Sequence, residues 1–405
     1  MRLRTISFVG LLWILVWGGM FTGEYNISAR MFSSPTALFQ GLRAFLPILA
    51  LYVCILWMLA ARITLPSFSP PQGMLFYYGL AGLIISFLSP EKMSALYWGL
   101  VYLSPILVLR IVIFKEDPLD RLKEITYLNY GIAVLIGLIL LPEVLQYGLF
   151  GGSRAQFYEL PFGLGEMRAN GVGRFALILV IISGVRILFT MSRKRIYWIA
   201  VFLPGLYILA KTQSRTSLLG LAVASVLIVL IMGTRWQFMI VGPVSTYVLW
   251  MSGYRWRAHQ SMESLLGLTG REFTWQQALE MIQQSPFLGW GFHSDRILLE
   301  SQHIHNSYIH AMIHSGIIGL ILFTGAFFAV WRLIFKYDLL RKVRGIEGSE
   351  KPLLIESILL IGFFSSRSIF ESTAAFFGVD LLFLLPAVVL IYYWTTLHES
   401  ALNEE

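Results

Sequence analysis

The chain has 405 residues, 57% hydrophobic and 13% charged, with a mean hydropathy of +0.69. A water-soluble chain of this size needs far more surface charge, so that class is excluded. The formal net charge of +8 would point to nucleic acid in a soluble protein, but a basic cytoplasmic membrane face is the simpler source here.

Residues 1–22 carry Arg2 and Arg4 ahead of an apolar stretch, as a signal peptide does. No clear small-residue cleavage site follows, so an uncleaved first span is expected. Apolar runs of about 17 to 25 residues then recur along the chain, each long enough to cross a membrane as a helix. Backbone groups in lipid need internal partners, which favours helices, and barrel-like alternation does not dominate. The predicted fold class is an all-α polytopic membrane protein, a single transmembrane domain over 1–405 with about 12 transmembrane helices. They are placed at 6–22, 38–61, 73–89, 93–114, 124–146, 171–190, 194–210, 212–232, 235–253, 306–332, 354–370 and 379–397. Pro105, Pro204 and Pro243 fall inside spans, where bends are tolerated. The single Cys54 excludes an intrachain disulfide.

Basic connections at 115–123, 193–195 and 332–351 place both termini on the cytoplasmic side. The outer connections are then a smaller loop at 147–170 and a large loop at 254–305. Arginine does not follow this asymmetry: Arg154, Arg168, Arg174, Arg215, Arg255, Arg257, Arg271, Arg296 and Arg367 all fall on the outer side or just within the outer membrane half. A guanidinium offers paired donors to phosphate, whether on a lipid or a substrate. Arg174, Arg215 and Arg367 lie near or within spans, where a charge is costly and normally paired or functional.

In the large loop, Phe273, Trp275, Ala278, Leu279 and Ile282 recur at helical spacing. They predict an amphipathic helix, capped by Thr269 or Thr274 and ended by Ser285-Pro286. Gly289-Trp290-Gly291 supplies a tight turn. Asn306 or Ser307 can cap the span at 306–332, which puts His305 at its outer mouth. His310 and His314 follow on one helix face, where packing or hydrogen bonding between helices is the favoured role. His303, His305, His310 and His314 match a metal site by spacing alone, but no His-Glu-x-x-His arrangement is present, so no metal is expected.

Thr269-Gly270-Arg271, Trp275, Ser285-Pro286-x-x-Gly289-x-Gly291, then His305-Asn306-x-x-Ile309 and Gly316 resemble the signature region of the O-antigen ligase and Wzy-type polysaccharide polymerase superfamily. Gln213-Ser214-Arg215-Thr216-Ser217 resembles the Ser-Arg element of that family at the outer end of a span. Arg168 with Asn170-Gly171, and Arg367 with Glu371, resemble its looser flanking charged elements. The signature covers roughly residues 210–320.

The resemblance implies a GT-C-like, inverting, metal-independent glycosyltransferase in the bacterial inner membrane, its active site facing the periplasm or exterior. The implied donor is a glycan on undecaprenyl diphosphate, and no soluble cofactor is implied. In that scheme His305 accepts a proton, with His303 as the alternative base and Asn306 and Glu371 in support. Arg215 and Arg271 clamp the diphosphate, joined by Arg367 and by Arg168 or Arg174. The acceptor is a lipid-linked repeat unit for an O-antigen or exopolysaccharide polymerase, the preferred reading, or lipid A core for an O-antigen ligase. A polysaccharide or lipid transporter is the alternative from another class, but it would favour inverted hydropathy repeats, and none is evident.

Overall fold

A computed structural model describes residues 7–20, 35–64, 67–68, 70–114, 117–146, 157–160, 165–190, 193–233, 271–299 and 303–403. Among these residues eight helices are long and apolar enough to cross a membrane. Large apolar side chains such as Leu59, Ile84, Leu138, Ile321 and Phe328 are exposed along them, as lipid contact requires and water would penalise. The protein is an all-α polytopic membrane protein. Eleven of the twelve expected spans coincide with helix, and 235–253 lies outside the described residues.

The chain folds into two compact units. The first comprises Met1–Leu128, Arg271–Leu333 and Ser368–Glu405; the second comprises Asn129–Gly270 and Ile334–Arg367.

The first unit opens with α1 (Phe8–Gly18), α2 (Pro35–Ala44), α3 (Leu46–Ala60), α4 (Pro70–Ile85) and α5 (Lys92–Phe114), and α6 (Pro118–Leu145) starts in it. Ser7 caps α1 by accepting from the Gly10 amide at 3.1 Å. α5 packs against α1, α3 and α4, and α15 (Val379–Asn403) packs on α4 and α5. α10 (Arg271–Gln284), the short α11 (Ser294–Leu298) and most of α12 (Ser307–Lys336) also belong here.

α10 carries the expected apolar repeat, but only part of that repeat faces inward. Ala278, Met281 and Ile282 are buried in a cluster with Leu299, Ile304 and Ile313, and Trp275 packs against it. Phe273 and Leu279, expected on the same apolar face, are 62% and 50% exposed. The helix is narrow on its packed side, and these two side chains sit off that stripe. Thr274 is buried inside the helix rather than capping it, and Thr269 lies outside the described residues.

α12 is broken at Ser315 and Gly316, whose backbone leaves the helical region (Gly316 φ 60°, ψ −155°). A break in a membrane helix is stable only when other groups satisfy the freed backbone. The turn after α10 does this. Trp290 N donates to Ile313 O at 2.7 Å, Gly291 N to His314 O at 3.1 Å, and Ile317 N to Pro286 O at 2.9 Å. The close approach explains two of the signature glycines. A Cβ on Gly316 would lie 2.1 Å from Phe287 O, and one on Gly289 would lie 2.5 Å from Ile313 O. Both glycines also have positive φ. Gly316→Ala is therefore expected to lower stability by at least about 1–2 kcal/mol. Thermal unfolding in detergent checks this; an unchanged midpoint would contradict it.

The second unit contains the hairpin β1 (Phe157–Leu160) and β2 (Gly165–Arg168), then α7 (Ala169–Phe189), α8 (Arg195–Thr212), α9 (Arg215–Met232), α13 (Leu339–Lys342) and α14 (Glu350–Arg367). The strands pair antiparallel with Phe157 opposite Arg168, and β2 runs directly into α7. α7 packs on α8, α9 and α14, and α14 also packs on α9. Gly220 lets α9 approach α14: a Cβ there would lie 2.3 Å from Phe363.

Within this unit Glu356 is fully buried on α14. It accepts from Arg186 Nε at 2.5 Å, Arg186 Nη2 at 2.9 Å and Tyr130 Oη at 2.7 Å. A buried charge is tolerable only when paired and hydrogen-bonded in this way. Removing the carboxylate would strand a buried guanidinium, so Glu356→Ala should cost about 3–5 kcal/mol. The folded yield and unfolding midpoint of the variant test this against Glu356→Gln, which keeps part of the hydrogen bonding.

Candidate active site

The His305-Asn306-Ser307 segment enters α12 through a strained residue. His305 has φ 52°, a left-handed conformation that costs a side-chain-bearing residue energy. Strain of this kind persists only where the surroundings over-determine it. The surroundings here are explicit. Asn306 caps α12 by accepting from Tyr308 N at 2.9 Å and Ile309 N at 3.0 Å, and its Nδ2 donates to Ile369 O at 3.0 Å. Ser307 N donates to Ser368 O at 2.9 Å, and Ser307 Oγ lies 2.8 Å from Glu371 O. On the other side Trp275 Nε1 donates to Ile304 O at 2.6 Å, which ties α10 to the residue before His305. The conformation of His305 is thus held from both α10 and the 368–373 segment.

Glu371 joins the functional side chains of this unit. Its Oε2 lies 2.9 Å from His305 Nδ1, and its Oε1 accepts from Arg271 Nη2 at 3.0 Å. Arg271, the first residue of α10, also donates from Nη1 to Phe370 O at 2.5 Å. Glu371 is 6% exposed, whereas the His305 side chain keeps 20% of its surface open. With Glu371 ionised, His305 Nδ1–H is the donor, and Nε2 is left as a base. In the sequence Glu371 stands near Arg367; its hydrogen bonds to Arg271 and His305, residues 100 and 66 positions away, follow only from the fold.

The other histidines form a stack behind His305. Ring centroids are 4.7 Å apart for His303 and His305, 5.2 Å for His303 and His310, and 5.2 Å for His310 and His314. Burial first, then the charges of Arg296, His310 and His305, hold His303 well below the ordinary histidine value. That lowering makes His303 a weak proton acceptor, whereas Glu371 orients His305. His303 Nδ1 lies 3.5 Å from Ser372 Oγ. His310 Nε2 lies 2.6 Å from Asp295 Oδ2, and His314 Nδ1 lies 2.8 Å from the Tyr78 hydroxyl. Both contacts join α12 to another helix, and neither partner follows from local sequence spacing.

His293 stacks on Trp98 at 4.7 Å in a left-handed conformation (φ 63°). Burial above all, offset in part by Asp295, lowers its pKa to about 4. The unfolded chain binds that proton near the ordinary histidine value of about 6.5. Between those values the unfolded state holds more protons, so stability falls as pH drops from about 6.5 toward 4. His293→Asn, which tolerates the same backbone, should flatten the unfolding midpoint over that window. An unchanged slope in the variant would contradict this.

The remaining predicted arginines lie in the second unit. Gln213 ends α8 in a left-handed turn (φ 48°), and Ser214 caps α9 through its hydroxyl, which accepts from Ser217 N at 3.4 Å. Arg215 follows as the first residue of α9. Gly173 of α7 makes room for this junction, because a Cβ there would lie 2.7 Å from Ser214 Cβ. Arg367 is buried at the end of α14 and donates to Thr216 Oγ1 at 3.2 Å, so it touches the Ser-Arg element within this unit. Arg168 is exposed at the start of α7, with its guanidinium over the Phe157 ring at 5.7 Å. Arg174 lies six residues later, its guanidinium 5.3 Å from the centroid of the Phe175 ring. Thr269, Gly270, His259, Arg154, Arg255 and Arg257 lie outside the described residues.

Comparison with known proteins agrees with the signature. Residues 178–324 match the family model described as O-antigen ligase, well under half of the chain. The matched segment overlaps most of the signature region, so chain and family model are similar there. It is also similar to the exopolysaccharide production protein ExoQ of Rhizobium meliloti (strain 1021), with 34% identity over 73 residues. That stretch covers 14% of this chain and 17% of the relative.

Proposed function

We propose that the protein is an inverting glycosyltransferase that moves a glycan from undecaprenyl diphosphate to a sugar hydroxyl. The carrying observation is the Arg271–Glu371–His305 array: a partly open imidazole oriented by a buried carboxylate, with a guanidinium on the same carboxylate. The match of residues 178–324 to the O-antigen ligase family model and the similarity to an exopolysaccharide production protein support the substrate class.

In the proposed step an acceptor oxygen attacks C1 of the donor sugar, and the bond from C1 to the diphosphate oxygen breaks. The hydroxyl proton goes to His305 Nε2, and the polyprenyl diphosphate leaves with the electron pair. Glu371 stabilises the imidazolium that forms. Arg271 offers its remaining N–H groups to the phosphate oxygens as negative charge develops on them. The proton is carried by a side chain, so this step calls on no metal and no soluble cofactor. Arg215, Arg367, Arg168 and Arg174 remain proposed phosphate-binding residues on the family resemblance and the geometry of the guanidinium.

The same resemblance supports a GT-C-like architecture in the bacterial inner membrane, with cytoplasmic termini and a periplasmic or external site. The preferred role is an O-antigen or exopolysaccharide polymerase, which the exopolysaccharide relative favours over a ligase acting on lipid A core. Purified protein supplied with lipid-linked repeat units alone tests this. Lengthened lipid-linked glycan is the expected product. Transfer only after lipid A core is added would establish the ligase instead, and no transfer to either acceptor would overturn the reading.

A further inference from the structure

We propose that Asp295, His310 and His314 form a structural site for a divalent first-row metal ion of the zinc type. The inference goes beyond the proposed transfer reaction and does not depend on it. One ligand atom from each residue can be chosen so that all three lie within 4.8 Å of one another. All three side chains are almost fully buried, at 3% exposure or less.

The hydrogen bonding around the cluster leaves acceptors facing each other. Tyr78 Oη donates to Ala375 O at 2.6 Å, so its one proton is committed. The 2.8 Å contact with His314 must then be His314 Nδ1–H donating to the Tyr78 oxygen. That fixes the tautomer and leaves a lone pair on His314 Nε2, 3.9 Å from Asp295 Oδ1. An imidazole lone pair and a carboxylate oxygen at that separation could both turn to a cation placed between them. The His293 amide donates to Nε2 through a long hydrogen bond of 3.4 Å, which a bound ion would replace, and Arg296 lies 4.0 Å from Asp295 in a partly exposed position.

His310 provides a second, independent observation. Its Nε2 meets Asp295 Oδ2 at 2.6 Å, yet its Nδ1 is buried without a hydrogen-bond partner. A buried imidazole with one unsatisfied nitrogen is costly. Imidazole and carboxylate donors suit zinc and its neighbours, and Tyr78 would orient His314 as outer partners of ligating histidines do. The pair His310 and His314 offers ligands one turn apart on a helix, and Asp295 comes from α11, 15 residues before His310. An ion there would clamp the first half of the broken α12 to the turn that supports it.

The test uses the full chain purified in detergent with an affinity tag free of histidine, stripped with a chelator and titrated with Co2+ and Zn2+. The expected result is about one equivalent per chain, with visible Co2+ absorption of a nitrogen–oxygen site that Zn2+ abolishes. His310→Gln and His314→Gln should each weaken binding at least about tenfold. Tyr78→Phe removes no ligand and should weaken it about 10- to 100-fold, which keeps the test decisive if a ligand variant fails to fold. His303→Gln should bind like the parent chain. No stoichiometric ion in the parent chain, or unchanged affinity in the folded variants, would overturn the site. These readouts do not involve glycan transfer, so a failed transferase assay leaves them standing.

Discussion

His305→Ala is expected to reduce turnover about 10²- to 10⁴-fold, the usual contribution of a positioned general base. The expected loss falls on kcat, because the imidazole acts on the acceptor proton in the transition state. Donor affinity should change little, since the diphosphate is assigned to guanidinium groups. The left-handed backbone at His305 sharpens the design of the experiment. Alanine relieves no backbone strain there, whereas Asn accepts that conformation more readily and has no basic nitrogen. Both variants should therefore be equally inactive. A His305→Asn protein that turns over at the parental rate would remove the base from the account.

Replacing Glu371 is expected to be nearly as damaging, by about 10²-fold or more, and for a different reason. The carboxylate touches no reacting atom in the proposed step and is a positioning residue. It holds His305 Nδ1 at 2.9 Å and Arg271 at 3.0 Å. Glu371→Gln keeps the shape but presents either an amide oxygen or an amide nitrogen to the imidazole. It also loses the charge that stabilises the imidazolium. The loss should fall on kcat with KM little changed, because the carboxylate acts through the base in the transition state. Glu371→Asp should recover part of the rate. A merely structural Glu371 would lower folded yield in both variants and leave kcat per folded enzyme in place.

Local rules made much of the fold legible. Hydropathy located helices, eight of them long and apolar enough to cross a membrane among the described residues, and Asn306 and Ser214 are caps that a sequence pattern can announce. The two-residue junction between α8 and α9 follows from a left-handed Gln213 and a Ser cap, which explains why the spans around Lys211 read as closely spaced. Side-chain partners far apart in the chain were not legible. Glu371 and His305 meet across 66 residues, and Arg186 and Glu356 across 170. Glu356 carried a signal that was passed over: a carboxylate within an apolar helix demands a partner. The outward turn of Phe273 and Leu279 was hidden for another reason. Periodicity marks an apolar stripe but does not say how wide a neighbour it will meet.

Glycines were informative in a way that composition was not. Gly289 and Gly316 appear in the sequence as two letters of a signature. In the fold each lets one backbone approach another where a methyl group would collide, and that contact holds the broken α12 against the turn after α10. The same turn leads through His293 to Asp295, so the break, the histidine stack and the entry to His305 share one support.

The most direct test of the central claim is the stereochemistry of one transfer. Direct attack on C1, with His305 taking the acceptor proton, inverts the anomeric centre, whereas a covalent glycosyl intermediate would retain it. Nuclear magnetic resonance of the new linkage, formed by the purified chain from a donor of known configuration, reads this outcome. The account predicts inversion with release of one polyprenyl diphosphate for each bond formed, and retention of configuration would contradict it.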